Sequence, residues 1–253
     1  MDVARISRDA YAEAFSRVTG RPLVALPQLA GMTDSEIFFQ ALALNQASAD
    51  TARSGGDAAA DAARAAGAAA DPGGANLELL GRYSRELAAA FASRRELLTQ
   101  RGRALPGALQ AVAAVAALPG VVQSVLTGTI RPNAALKLAA FGFSRYLDAE
   151  IGGYGSEIYP MGAQLLAIRG RAAARYGAAF GGSRTVYVAD SGRDVAAARL
   201  GGAASIAVAT GRATAGELRA AGPDLVLADL TDTDAVTAAI DRLTSAALVA
   251  GES

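Results

Sequence analysis

The sequence contains no cysteine and no histidine among its 253 residues. The absence of cysteine excludes disulfides, thiolate nucleophiles, zinc sites with cysteine ligands and iron–sulfur clusters. The absence of histidine removes the commonest metal ligand and the usual general base of a Ser–His–Asp triad. Any chemistry must therefore rely on carboxylates, hydroxyls, arginine and lysine, and these donors favour a hard, oxygen-ligated ion such as Mg²⁺.

The chain also lacks an excess of charge and a long apolar run. It carries 24 basic and 24 acidic residues, so we expect neither nucleic acid nor a membrane surface as a partner. The stretch most similar to a membrane span, residues 105–126, is rich in alanine and broken by glycine and proline. The N-terminal stretch MDVARISRDAYAEAF has no apolar core of a secretory signal. We therefore expect a cytoplasmic protein.

Helical patterns dominate the first part of the chain. Apolar residues at helical spacing predict an amphipathic helix over residues 7–18, with Ser7 as its N-cap. The sequence Thr-Asp-Ser-Glu from Thr33 to Glu36 has the pattern of a capping box and predicts a second helix over residues 33–44. Residues 76–101 predict a further strong helix.

Residues 47–75 consist almost wholly of alanine, glycine, aspartate, serine and arginine. With no large apolar side chain to bury, this stretch cannot offset its ordering entropy by packing. We therefore expect a low-complexity surface insertion within an all-helical domain that covers residues 1–102.

From residue 103 onward, short apolar strands alternate with helices. This alternation predicts a doubly wound, Rossmann-like parallel sheet with helices on both faces, an α/β domain over residues 103–253. The strands are expected near residues 121–128, 149–152, 185–190, 205–210 and 225–230.

Polar residues follow four of these strands, at residues 127–129, 152–157, 190–194 and 210–212, where ligands bind in an open parallel sheet, beyond the carboxyl ends. Thr127 and Gly128 follow one strand, and their hydroxyl and backbone N–H groups suit a phosphate oxygen at a helix N-terminus. Asp190 and Asp194 follow another and offer carboxylate oxygens to one Mg²⁺. Each also has a structural explanation, because threonine and aspartate are common helix caps and turn formers.

Lys137 is the only lysine in the chain; the other 23 basic residues are arginine. It lies within the helix that begins at the proposed anion site. An ammonium is a compact charge suited to bridging a phosphate oxygen and a carboxylate. The alternative is a lysine placed by chance on a surface helix.

Taken in order, these motifs resemble the haloacid dehalogenase-like hydrolases, and in particular their phosphoglycolate phosphatase-like branch with a helical cap. The matching stretches include VLTGTIRPNAALKLAAFGF and VYVADSGRDVAAARLGGA. The resemblance implies that Thr127 and Gly128 bind the substrate phosphoryl group and that Lys137 is the catalytic cation. It also implies that Asp190 and Asp194 are Mg²⁺ ligands, that residues 1–102 form the cap, and that Arg169 or Arg171 are weaker substitutes for Lys137.

One family motif is absent. The nucleophile lies in a strand that ends Asp-x-Asp-Gly-Thr, and this sequence has no such stretch. That strand is the central one of the family's sheet, so its loss is expected to leave its neighbours with exposed edges or to let them close up. Either the natural chain is about twenty residues longer at its start, or the protein is a degenerate, inactive relative.

Three functions follow as hypotheses. The first is a Mg²⁺-dependent hydrolase of a small phosphorylated metabolite, inactive as this chain because the nucleophile is missing. The second is a non-catalytic phosphate-binding, metal-binding or regulatory protein. The third is a nucleotide-binding domain with GGYGSE at residues 152–157 as its glycine-rich loop, but this loop lacks the strand and helix of the usual fingerprint.

Overall fold

The computed structural model describes residues 3–29, 31–54, 74–157, 161–211 and 213–250. The N-terminal part of these ranges is helical, with helices α1 Ala4–Thr19, α2 Asp34–Ser54, α3 Gly74–Ala92 and α4 Arg95–Arg101. The rest alternates helices and strands, in the order α5 Ala108–Ala116, α6 Arg131–Ala140, α7 Met161–Tyr176, β1 Val186–Ala189, α8 Gly192–Leu200, β2 Ala204–Val208, α9 Ala215–Ala220, β3 Leu225–Leu227 and α10 Thr233–Ala250. No helix within these ranges has both the length and the apolar character to cross a bilayer.

The N-terminal helices share one apolar core. Phe38 of α2 is fully buried and stacks on Tyr83 of α3, with 4.1 Å between ring centroids. Phe15 of α1 meets Phe38 edge to face at 6.4 Å. Ile130, which precedes α6, is buried in the same cluster. The helical part therefore packs directly against the start of α6.

The predicted helix starts were right in one case and wrong in another. Helix α1 begins at Ala4 with Val3 as its N-cap residue and no side-chain cap bond, so the assignment of Ser7 as the cap was wrong. The capping box at α2 is confirmed. The Thr33 N–H donates to Glu36 Oε2 at 2.7 Å, and the Glu36 N–H donates to Thr33 Oγ1 at 3.1 Å. Two free N–H groups at the start of α2 are thereby satisfied.

Thr33→Ala is expected to lower the free energy of unfolding by about 1 kcal/mol, because the Glu36 N–H loses its acceptor. Thr244→Ala is the control. Thr244 donates to the Ile240 carbonyl inside α10 and caps nothing, so its loss should change stability by less than about 0.5 kcal/mol. Urea unfolding followed by circular dichroism measures both; equal stabilities would contradict a role for the box.

Two other expectations for the helical part are changed by the structure. Residues 76–101 do not form one helix, since α3 ends at Ala92 and α4 starts at Arg95. The predicted insertion over residues 47–75 begins inside α2, which continues to Ser54, and residues 55–73 lie outside the described residues.

The sheet is parallel, in the order β1-β2-β3. Alternation along β2 covers both faces: Ile206 and Val208 pack in a cluster with residues of α5 and α10, whereas Ala207 packs with Val195 of α8 and Leu218 of α9. Helices on both faces of a parallel sheet make the predicted doubly wound α/β fold, which is confirmed.

The first two predicted strands are not regular strands. In the described chain, the segments around the predicted strands 121–128 and 149–152 form a single parallel bridge, between Leu126 and Gly153. Three backbone bonds accompany it: Asp148 N–H to Gln123 O, Gly153 N–H to Val125 O and Thr127 N–H to Gly153 O, at 2.8, 2.9 and 3.0 Å. A regular strand needs a neighbouring strand to pair with its backbone N–H and C=O groups. In the described chain this pair of segments is not part of the three-stranded sheet.

Strand β1 therefore lies at a sheet edge. Its only partner within the described residues is β2, and Val188 is 41% exposed. In the described residues, β1 and residues 123–127 have not closed up against each other, and β1 keeps an exposed edge.

Candidate functional site

A cavity of about 390 Å³ opens at the carboxyl end of β1, and we call it the main cavity. Four of the five predicted site residues line it, namely Thr127, Gly128, Asp190 and Asp194. The helical part of the chain contributes Tyr11, Gly31, Met32, Asp34 and Ile37 to the same lining. Polar groups from distant parts of the sequence therefore meet at one edge of the sheet, where ligands bind in this class of fold.

The two carboxylates have different surroundings. Asp190 directly follows β1, is exposed, and lies against Gly211, where an added Cβ would be 2.7 Å from Asp190 Oδ2. Asp194 is half-buried in the first turn of α8. Its Oδ2 accepts from the Ser191 hydroxyl at 2.6 Å, and its Oδ1 accepts from the Tyr187 hydroxyl at 3.3 Å. Ser191 caps α8, so the simple explanation of Asp194 as a helix cap is wrong.

Burial raises the pKa of Asp194, and the neighbouring Asp190 charge adds to this effect. The hydrogen bonds from Ser191 and Tyr187 and the Arg193 charge act in the opposite direction. The pKa of Tyr187 is raised as well, by burial and then by Asp194, so the phenol stays protonated and remains a donor. A nearby cation stabilises the ionised form of a carboxylate that burial makes costly to ionise.

The Thr127 hydroxyl closes a tight turn by accepting from the Thr129 N–H at 3.1 Å. Helix α6 starts at Arg131 with Ile130 as its N-cap residue, so Thr127 is not the cap of that helix. Gly128 leaves no space for a side chain, because a Cβ there would lie 2.2 Å from the Met32 carbonyl oxygen. The backbone of this turn therefore borders the main cavity directly.

Lys137 lies next to the main cavity in a second pocket, which we call the inner pocket. It is lined by Ser7, Tyr11, Asp34, Leu87, Phe91, Thr129, Asn133 and Lys137, and it is too narrow for a water molecule. The Lys137 ammonium donates to Thr129 Oγ1 at 3.2 Å and lies 5.1 Å from the centre of the Phe91 ring. Burial lowers the pKa of Lys137, and the charge of Asp34 opposes this shift.

Three residues, Tyr11, Asp34 and Thr129, line both pockets and so connect Lys137 to the main cavity. No feature of the sequence singles out Asp34, which appears there only as part of the capping box. Its side chain takes no part in that box: Asp34 Oδ1 accepts from the Tyr11 hydroxyl at 2.6 Å and Oδ2 from the Ile130 N–H at 2.7 Å. One sequence signal could have pointed to Asp34: it lies within a capping motif that does not need its carboxylate.

The substitutes considered for Lys137 lie elsewhere. Arg169 donates to Thr185 and to the carbonyls of Gly182, Gly201 and Gly202. Arg171 donates to the carbonyls of residues 151 and 152 and lies 3.6 Å from Glu157. Neither lines the main cavity or the inner pocket. Both arginines brace loops.

The glycine-rich stretch at residues 152–157 is an internal packing element. Gly155 N–H donates to the Thr129 carbonyl at 2.9 Å, and the Gly155 carbonyl accepts from the buried Ser35 hydroxyl at 2.8 Å. Gly153 belongs to the bridge with Leu126. These contacts tie the stretch to the start of α2 and to the Thr127 turn, which gives its glycines a structural purpose.

The donors fit a hard divalent ion. Asp190 and Asp194 face one cavity and offer carboxylate oxygens, and Mg²⁺ is commonly held by one or two carboxylates with several waters. Across the described ranges no group of three or more His, Cys, Asp or Glu side chains is placed to hold a metal. Any ion held at this edge would therefore draw on two carboxylates rather than on a complete protein cage.

The chain is similar to known proteins both in sequence family and in structure. A family model described as haloacid dehalogenase-like hydrolase matches residues 27–199, and a second, HAD-hydrolase-like model matches residues 166–233. A hydrolase from Pseudomonas syringae has 20% identity and a TM-score of 0.55, over 90% of this chain and 88% of that one. A predicted phosphoglycolate phosphatase from Haemophilus somnus has 17% identity and a TM-score of 0.54, over 92% of both chains. These structures share the fold. No curated protein matches.

Proposed function

This chain belongs to the haloacid dehalogenase-like hydrolase family, and on that premise we propose that it forms the substrate-binding and metal-binding body of a Mg²⁺-dependent phosphomonoester hydrolase. The observation that carries the proposal is the meeting of Thr127, Gly128, Asp190 and Asp194 in one cavity, with the Lys137 ammonium in the adjoining pocket. Hydroxyl, backbone N–H, ammonium and carboxylate groups are the set that phosphoryl transfer needs.

Each group has a role in this proposal. The Thr127 hydroxyl and the backbone N–H groups that follow it bind phosphoryl oxygens. Lys137, held by Thr129, stabilises the negative charge that develops on those oxygens. Asp190 and Asp194 would hold Mg²⁺, which when bound neutralises phosphoryl charge. The substrate is a small phosphorylated metabolite, because the cavity measures about 390 Å³.

The N-terminal residues 1–102 act as the cap in this proposal. They supply Tyr11, Gly31, Met32 and Asp34 to the lining of the main cavity. Arg193, between the two aspartates, reaches Glu36 of α2 with 3.3 Å between its Nη2 and the carboxylate. A cap in contact with the catalytic edge can exclude water from the reaction. The cytoplasmic location stays a prediction of the sequence.

The nucleophile is the missing component. In the reaction of the family, an aspartate oxygen attacks phosphorus and the bond from phosphorus to the leaving alkoxide breaks. Water then hydrolyses the resulting aspartyl phosphate. In this proposal a further parallel strand carrying that aspartate would lie along the exposed edge of β1, where Leu126 and Thr127 line the same cavity. We therefore expect this chain of 253 residues to be inactive without such a strand.

A second function is favoured by the same observation. A chain with an intact cavity and no nucleophile suits a protein that binds phosphate and a divalent ion without catalysis. Thr127, Lys137, Asp190 and Asp194 would then be binding residues only. The two functions differ in whether a chain with the further strand turns over substrate.

The deciding experiment is a p-nitrophenyl phosphate assay with Mg²⁺ on two proteins. One is the chain of 253 residues, and the other carries the in-frame sequence encoded upstream of Met1. We expect turnover only from the extended protein, and addition of EDTA should abolish it. If the extended protein is folded and inactive, the hydrolase proposal is rejected and the binding function is preferred.

A further inference from the structure

We propose that Asp34 is a positioning residue of this site, which fixes the turn from Thr127 to Ile130 and holds Lys137 as an ammonium ion. The proposal deepens the proposed function and rests on it for its meaning. It assigns to the helical part of the chain a direct role in the charge state of the site's only lysine.

Asp34 is attached to the turn at two points. Its N–H donates to the Gly128 carbonyl at 2.7 Å, and its Oδ2 accepts from the Ile130 N–H at 2.7 Å. These contacts flank Thr129, whose hydroxyl accepts from Lys137. A third bond, from the Tyr11 hydroxyl to Oδ1 at 2.6 Å, ties the carboxylate to α1. Asp34 thus connects two helices of the cap to the turn that carries the phosphate-binding groups.

Both carboxylate oxygens of Asp34 accept a hydrogen bond while the side chain is only 2% exposed. A buried carboxylate with two donors is the arrangement that supports the ionised form. The cap of α2 does not use this carboxylate, because Thr33 and Glu36 complete that box between them. Helix capping therefore does not explain why an acid is buried here.

The protonation state of Lys137 depends on Asp34. Asp34 is the only acidic residue that lines the inner pocket in the described chain, and the other titratable group lining that pocket is the Tyr11 phenol. Burial and then the Asp34 charge raise the pKa of the Tyr83 phenol of α3. Burial among Leu87 and Phe91 lowers the pKa of Lys137, and Asp34 is what opposes this.

The ionisation of Asp34 depends in turn on Lys137 and on its hydrogen-bond donors. Burial raises the pKa of Asp34, whereas the hydrogen bonds from Tyr11 and Ile130 and the Lys137 charge lower it. The acid and the amine each favour the ionised form of the other. Loss of the carboxylate leaves the Lys137 ammonium unpaired in a pocket that is too narrow for water. The protonation equilibrium of Lys137 therefore shifts toward the neutral amine.

The test is a pH titration of the Lys137 side chain by NMR. Protein grown with isotope-labelled lysine gives one side-chain signal, because the chain has one lysine. In Asp34→Asn, which keeps the shape of the side chain and removes its charge, we expect the titration midpoint of Lys137 to move to lower pH. Equal midpoints in wild type and a folded Asp34→Asn variant overturn the proposal.

Asp224→Asn is the matched control. Asp224 accepts from the Ser205 N–H at 2.7 Å and from the Ser205 hydroxyl at 3.1 Å, so this variant loses bonds of the same kind. Asp224 and Ser205 line neither pocket, so the Lys137 midpoint should not move. A shift equal to that of Asp34→Asn would attribute the effect to lost stability and overturn the proposal.

Asp34→Ser covers the case in which Asp34→Asn does not fold. It also removes the carboxylate charge, so the Lys137 midpoint should again move to lower pH. An unchanged midpoint in the folded Asp34→Ser protein overturns the proposal. The titration does not depend on turnover. A shifted Lys137 midpoint together with an inactive extended protein supports this role of Asp34 and rejects the hydrolase. An unchanged midpoint together with an active extended protein rejects this role and supports the hydrolase.

Discussion

Gly155→Ala is expected to lower the free energy of unfolding by at least about 4 kcal/mol, or to prevent folding. An added Cβ at Gly155 would lie 1.6 Å from the Gly128 carbonyl oxygen, which belongs to the backbone and cannot rotate away. The loops have no freedom to separate, because Gly155 N–H is bonded to the Thr129 carbonyl and Asp34 N–H to the Gly128 carbonyl. Relief of the clash therefore breaks these hydrogen bonds, and each buried group left unsatisfied costs about 1–3 kcal/mol.

The control for this prediction is Gly170→Ala. Gly170 is exposed in the middle of α7, and a Cβ there meets nothing within 4 Å. Alanine is the better helix former, so this variant should gain up to about 1 kcal/mol. Guanidinium unfolding followed by circular dichroism compares both variants with wild type. A Gly155→Ala protein that unfolds at the wild-type midpoint would show that the three loops do not pack as described.

The second large effect concerns turnover. Lys137→Met in the extended protein is expected to lower kcat/KM for p-nitrophenyl phosphate by about 10²- to 10³-fold, the usual cost of removing one group that stabilises transition-state charge. Lys137 is the only lysine or arginine that lines either pocket among the residues the structure describes. Methionine keeps most of the length and the apolar stem of the side chain and removes the ammonium that lies over Phe91, so the change mainly removes the charge.

Two further measurements make this result specific. Lys137→Arg restores the positive charge on a larger, planar group and should recover part of the lost activity. Arg169→Met removes a half-buried cation that binds only loop carbonyls and Thr185, and should affect stability more than kcat/KM of the folded protein. Wild-type turnover by a folded Lys137→Met enzyme would exclude Lys137 as the catalytic cation.

Local sequence signals were sufficient for some elements. The capping box at Thr33 was predicted correctly because its two hydrogen bonds join residues three positions apart. Strand β2 was recognised because residues 204–208 are an apolar run between turns, buried along its whole length. The parallel, doubly wound class followed from the alternation of elements, and β1, α8, β2, α9 and β3 lie close to their expected positions.

Other features depend on partners far away in the chain. Residues 121–128 have the apolar character of a strand but pair only through one bridge, because strand formation requires a neighbour along its length. The Asp34 carboxylate meets Ile130, 96 residues later, and no local pattern reports such a contact. The convergence of Thr127 with Asp190 and Asp194 was expected from the fold class, but the separate inner pocket around Lys137 was not.

The sequence by itself determined the chemical groups available, the helical and α/β character of the two halves, and the order of strands and helices from residue 185 onward. These properties follow from composition and from side-chain periodicity, which are local. Only the tertiary structure decided which groups share a cavity, which sheet edges lack a partner in the described residues, and that Asp34 of α2 shares a pocket with the single lysine. Burial, pairing and electrostatic interaction are set by distances in space, and those distances exist only once the chain has folded.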